Sequence, residues 1–168
     1  LAHAGHKVVA LVFAGSSVKL GWADECDALL FAYLPGQAGA RAALDLVTGR
    51  AVPSGKLAET FPFTYHDCSS KNNFPGKEKT VEYREGIYIG YRYYDTASVS
   101  VKYPFGYGLS YTTFAYSDYE VNEKGVSFTI ENTGDYDGKE IAELYVSMVN
   151  GKVFRPVKEL KGYKKVFI

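Results

Sequence analysis

The sequence predicts a chain that is mixed α/β in its first third and all β in its last, on three observations. Two short, continuous, β-branched apolar runs are followed by a segment with helical apolar spacing. A long middle stretch is rich in Pro, Gly and Tyr without a sustained period. The last third alternates apolar and polar residues, the period of half-buried antiparallel strands.

Taken in order, residues 7–14 (KVVALVFA) read as a strand covered on both faces, ending at the turn Gly15-Ser16-Ser17. Residues 27–34 (DALLFAYL) have the same character and stop at Pro35-Gly36, so two buried strands are expected. Residues 37–48 place Ala40, Ala43, Leu44 and Val47 at i, i+3, i+4 and i+7 and close at Gly49, the pattern of an amphipathic helix with a glycine stop. Residues 51–110 break the periodicity with Pro53-Ser54-Gly55, Phe74-Pro75-Gly76 and Pro104-Phe105-Gly106. So long a connection is uncommon unless it is functional or packed on something. Its Tyr83, Tyr88, Tyr91, Tyr93, Tyr94, Tyr103 and Tyr107 offer too much apolar area for a solvated linker, so a strap along a domain surface is expected.

In the last third, Val126, Phe128 and Ile130 alternate with polar neighbours, and Ala142, Leu144, Val146 and Met148 form a second apolar face. Residues 132–138 (NTGDYDG) supply a hairpin turn between them. With residues 114–121 before and 160–168 after, about four strands are expected, fewer than the ~7 of an immunoglobulin-like sandwich. The chain therefore reads as stopping inside a module. A start at Leu1, without Met or a signal-like segment, likewise reads as internal to a longer polypeptide.

Composition removes several function classes. Nineteen basic side chains against nineteen acidic ones leave no net field for a polyanion, so nucleic acid is not an expected partner. The apolar runs fall far short of the ~20 residues that span a bilayer, so no membrane is expected. Cys26 and Cys68 have no CxxC spacing, read as free thiols, and favour a reducing, cytoplasmic compartment over a secreted one. Neither a metal nor another cofactor is expected. His3, His6 and His66 lack ligand spacing and read as surface residues, and no GxSxG elbow or Ser, His and Asp set occurs.

Four blocks in fixed order resemble glycoside hydrolase family three. They are Tyr33-Leu34-Pro35-Gly36-Gln37, then Pro53-Ser54-Gly55-Lys56-Leu57 with Thr60-Phe61-Pro62, then Tyr83-Arg84-Glu85-Gly86 running into Gly90-Tyr91-Arg92-Tyr93-Tyr94-Asp95, then the block from Pro104-Phe105-Gly106 to Tyr111-Thr112. Asn132-Thr133-Gly134, Gly138-Lys139-Glu140 and Arg155-Pro156-Val157-Lys158-Glu159-Leu160 are similar to that family's terminal fibronectin-type-III-like module. Ala58-Glu59, where a proline is common, and Tyr107, where many members have His, depart from the pattern. The resemblance implies residues 1–62 as the end of an α/β sandwich domain, 63–110 as an aromatic-rich strap and 111–168 as a partial fibronectin-type-III-like domain. It further implies a retaining glycosidase, in the first instance a β-glucosidase, whose nucleophilic Asp and acid/base Glu sit about 5–5.5 Å apart. Both carboxylates belong to parts of the family that have no counterpart in this chain. No catalytic residue is assigned here, and the remainder of the enzyme, its barrel and the rest of its sandwich, together with a carbohydrate substrate, are the implied partners. The alternative is a noncatalytic carbohydrate-binding or scaffolding β-sandwich protein.

The local candidates have simpler roles to set beside the functional ones. Glu82 and Glu85 are the nearest thing to paired acids, but an extended segment sends them to different or solvated faces. Arg92 is better suited to a buried ion pair or aromatic stack than to a substrate clamp. The strip from Tyr83 to Tyr111 could stack on sugars; an interdomain seam is the stronger expectation. Residues 49–56 have the wrong spacing for a phosphate loop, with Leu57 in place of Ser or Thr. Residues 135–138 suggest a calcium loop only until Val146 is found at its closing position.

Overall fold

The structure, a computed structural model, describes residues 4–77 and 79–168. Strand β1 (Val9–Val12) pairs in parallel with β2 (Ala28–Phe31), Val9 opposite Ala28 and Val12 opposite Phe31. Both expected strands are present, shorter than the apolar runs, but only one face of the pair is covered. Leu29 and Phe31 pack on a small core of Leu20, Ala23 and Phe61, to which Leu57 and Tyr103 add. On the opposite face Val9 and Leu11 are 51% and 42% exposed. The expectation of burial on both faces therefore fails within this chain, since covering a parallel pair takes a layer on each side and one layer is missing.

Helix α1 (Gly39–Val47) falls inside the expected segment, braced by an Arg41–Asp45 pair one turn apart at 3.1 Å and terminated by Gly49 at φ 73°. Its packed side shares only Ala43 with the expected stripe. Gly39 and Ala43 are buried, whereas Leu44 and Val47 are 52% and 43% exposed. Spacing identifies an apolar stripe without saying whether its partner lies in the same chain.

The middle stretch is ordered by pairing and by short helical pieces. Strand β3 (Phe61–Pro62) pairs antiparallel with β4 (Val101–Tyr103), and helix α2 (Tyr91–Thr96) lies between them in sequence. Phe61, 1% exposed, meets Phe31 and Tyr103 edge-on at centroid separations of 4.8 and 6.5 Å. Close approach fixes a glycine here: a Cβ on Gly108 would collide with the Gly55 carbonyl oxygen, where Gly106 and Tyr107 exchange backbone hydrogen bonds with Leu57 at 2.8 Å each.

The last third holds four strands, as expected. β5 (Phe114–Asn122) pairs with β6 (Gly125–Asn132), and β7 (Lys139–Val146) with β8 (Glu159–Phe167), in two separate antiparallel sheets. Residues 133–138 are consequently not a hairpin turn: β6 and β7 do not pair, and this connection passes from one sheet to the other. Asn132 holds the crossing. Its Oδ1 accepts from the Thr112 hydroxyl at 2.6 Å and the Gly134 N–H at 3.1 Å, while its Nδ2 donates to the Tyr136 and Ile168 carbonyls at 2.8 and 3.2 Å.

Strand β7 also departs from its reading. Glu143 and Tyr145 are half-buried while Leu144, Val146 and Met148 are 38%, 49% and 57% exposed. The pattern announced two distinct faces, but the polar-looking one packs on the strap and the apolar one is buried only at Ala142 and lies open beyond it.

Candidate functional site

Two arrangements draw on the residues singled out in the sequence: a joint that locks the strap to β7 and β8, and an open cleft beside it. The joint is built from α2 outward. Its first residue, Tyr91, accepts the Leu160 N–H on its hydroxyl at 2.7 Å and sets its ring 4.9 Å from Phe105 and 5.8 Å from Tyr145. One turn later Asp95 pairs with Lys158 at 3.1 Å, and the Thr96 hydroxyl accepts the Val157 N–H at 3.2 Å. Lys158 also lies over the Tyr145 ring, 5.1 Å from its centroid.

A second contact of the joint runs through Lys56. Its ammonium donates to the Gly108 carbonyl at 3.0 Å and pairs with Glu140 of β7 at 3.4 Å, with side chains only 20% and 12% exposed. Glu140 in turn accepts from the Tyr116 hydroxyl of β5 at 3.0 Å. Burial and then the Glu140 carboxylate push the Tyr116 phenol well above its usual range. Tyr145 is pushed the same way by burial and by its bond to Glu143 at 2.6 Å. Such shifts keep both phenols neutral donors, a role suited to packing. Tyr94, the buried residue of α2, is raised by burial first and by its hydrogen bond with Cys68 second.

The cleft has a volume of about 400 Å³. Arg84 and Glu85 come from the strap with Tyr88, Tyr93 and Thr96 come from α2, and Phe154 comes from the connection between β7 and β8. Tyr88 and Phe154 stack with centroids 5.5 Å apart at 30°. Glu82 lies outside, exposed and held by the Arg84 guanidinium, so the two candidate acids do not converge on one point. Arg92 is half-buried, with neither the ion pair nor the ring stack expected of it among the described residues. Ser69 and Phe154 carry no signal in the sequence, since one precedes the aromatic strip and the other is far along the chain, and Ala97 lies within the strip without a polar or aromatic side chain.

The remaining candidates separate by placement. A second hollow, about 360 Å³, is lined by His6, Lys7, Cys26 and the acidic residues around it. Its Asp27 is already occupied by the Lys7 ammonium and the Val8 N–H, both at 2.8 Å, and the lysine above all holds that carboxyl below its usual range. His66 sits in a 3₁₀ turn, Tyr65–Asp67, and His3 lies outside the described residues. Cys26 and Cys68 are free thiols. Among the described residues no three His, Cys, Asp or Glu side chains cluster as metal ligands. Tyr33, at the end of β2, has the left-handed φ of 50° that residues with a side chain seldom adopt, and its hydroxyl accepts the Ala58 N–H at 3.3 Å. The departure at Ala58 is thus compatible with the observed turn, since a proline there could not donate.

Residues 1–91 match the glycosyl hydrolase family 3 C-terminal domain. A thermostable beta-glucosidase B from Acetivibrio thermocellus is 47% identical over 169 residues, covering 96% of this chain and 22% of the relative. An exo-alpha-(1->6)-L-arabinopyranosidase from Bifidobacterium breve is 41% identical, covering 100% and 23%. Among solved structures, beta-glucosidase 3B from Thermotoga neapolitana in complex with glucose superposes with a TM-score of 0.92 at 46% identity, over 98% of this chain and 24% of that one. The chain thus spans about a quarter of the length of the relatives it matches.

Proposed function

The chain belongs to glycosyl hydrolase family 3, and from that membership we propose that it is the C-terminal part of a retaining O-glycosidase acting on terminal β-linked sugars, in the first instance a β-glucosidase. The observation that carries this reading is the end-to-end superposition on β-glucosidases, 46% identical over 98% of the chain. The segment's own contribution is structural. Residues 1–62 complete a sandwich domain, 63–110 strap it, and 111–168 begin a fibronectin-type-III-like module of which β5 to β8 are the first strands. The nucleophile and the acid/base are supplied by the rest of the polypeptide, because double displacement needs two carboxylates face to face about 5–5.5 Å apart, and Glu82 and Glu85 do not form such a pair. The barrel and the remaining sandwich are its partners within one enzyme, with carbohydrate as the substrate.

Assay of the isolated chain and of the full-length polypeptide with an aryl β-glucoside tests this. Turnover is expected from the full-length protein alone. Comparable rates from the isolated chain would overthrow the placement of both carboxylates outside it.

A further inference from the structure

The aromatic residues of the strap and α2 do not share one fate. Tyr91, Tyr103, Phe105 and Tyr107 are consumed by contacts within the joint and with the core. Tyr88 and Phe154 instead stack on each other at the edge of the cleft, and Phe154 remains 76% exposed. A ring stacked on one side and still largely in water keeps apolar area for a further contact.

The polar groups around these rings are of mixed sign. Glu85 is half-buried at the cleft, with no side-chain partner among the described residues. A carboxylate in that state accepts two O–H donors at once, the geometry a vicinal diol presents. Arg84 uses one edge of its guanidinium on Glu82 and has further N–H donors to give. Thr96 and Tyr93 add hydroxyls, although the Thr96 oxygen already accepts from Val157. Arg84 is already balanced by Glu82, so the one uncompensated charge at the cleft is the Glu85 carboxylate, which disfavours anions and accepts hydroxyl donors. Its volume of about 400 Å³ suits a small ligand in the ~300–1,000 Å³ range of such sites.

We infer that this cleft binds a neutral pyranose, its apolar face on the exposed Phe154 ring and its hydroxyl edge toward Glu85 and Arg84. An apolar ring face with a polar rim is what the lining selects; the choice of a sugar within that class rests on the glycosidase reading above.

The experiment uses the full-length polypeptide with its nucleophile blocked by an activated 2-deoxy-2-fluoroglucoside, then titrated with cellobiose by calorimetry. Saturable binding to the blocked protein is expected, weakened about tenfold by Phe154→Ala and at least as much by Glu85→Gln. No binding at millimolar cellobiose overturns the inference and leaves the cleft as a surface packed by another segment of the polypeptide. Binding unchanged in Glu85→Gln overturns it as well, and that variant decides alone if Phe154→Ala lowers the melting temperature. Failure of the inhibitor to label the protein counts against the glycosidase reading instead, and the titration then proceeds on unlabelled protein with the same two variants.

Discussion

The joint around Tyr91 and Glu140 and the apolar sides of β1 and α1 end in opposite states. In the joint nearly every group meets a partner within the chain: Tyr91 with Leu160, Lys56 with Glu140, Asp95 with Lys158. On β1 and α1, Val9, Leu11, Leu44 and Val47 stand 42–52% exposed. A parallel pair and an amphipathic helix are stabilised by layers stacked on both sides, whereas an aromatic joint closes on itself through short polar contacts. The difference teaches that a region is complete in this chain where both sides of each contact lie within it, however far apart in sequence, and stays open where a whole covering layer is needed.

The sharpest way to break the comparison is at Phe61, the most deeply buried side chain of the joint and core. Phe61→Ala is expected to cost about 3–5 kcal/mol in denaturant unfolding of the full-length protein, through lost transfer energy and a cavity. A loss below about 1 kcal/mol would show that the core around Leu20 and Tyr103 carries little of the fold.

Leu44→Ser sharpens it from the other side. In the 168-residue chain the substitution should change stability by no more than ~0.5 kcal/mol, as expected for an exposed position. In the full-length protein it should cost about 2 kcal/mol, because a covering layer would bury the leucine. Equal, small effects in both would mean that the helix stripe faces solvent throughout.

The smallest effect concerns alkaline pH. Tyr145 is raised above the ordinary tyrosine value near 10 by burial and by Glu143. Below pH ~10 both folded and unfolded phenols are protonated, so stability is flat there. Above it the unfolded phenol ionises first, the folded state retains its proton, and stability falls as pH rises toward the elevated folded value. Tyr145→Phe should make the decline between pH 10 and 11 shallower by up to one proton in chemical-denaturation curves. An unchanged slope would remove Tyr145 from the cause.

Much of this was legible before any coordinates. The apolar runs at residues 7–14 and 27–34 found β1 and β2, Gly49 marked the end of α1, and alternation located β6 and β7. The candidate cleft was legible only in part. Glu85, Tyr88 and Tyr93 lie on the strip that the sequence marked out, whereas Phe154 reaches them from a connection that shows no local signal. The reading of residues 132–138 as a hairpin failed for a related reason: Asn, Asp and Gly announce a change of direction, but the next strand takes its partner, β8, from the far end of the chain, where Asn132 also reaches Ile168.

Local chemistry therefore determined where strands and the first helix form, because backbone propensity and side-chain period act over a few residues. Family kinship too could be read from the order of the motif blocks. Only the tertiary structure decided which face of β7 is covered, which tyrosines close the joint and which flank an open cleft. Those outcomes depend on contacts between residues such as Tyr91 and Leu160 or Tyr88 and Phe154, far apart in sequence, and periodicity carries no information about a partner at that distance.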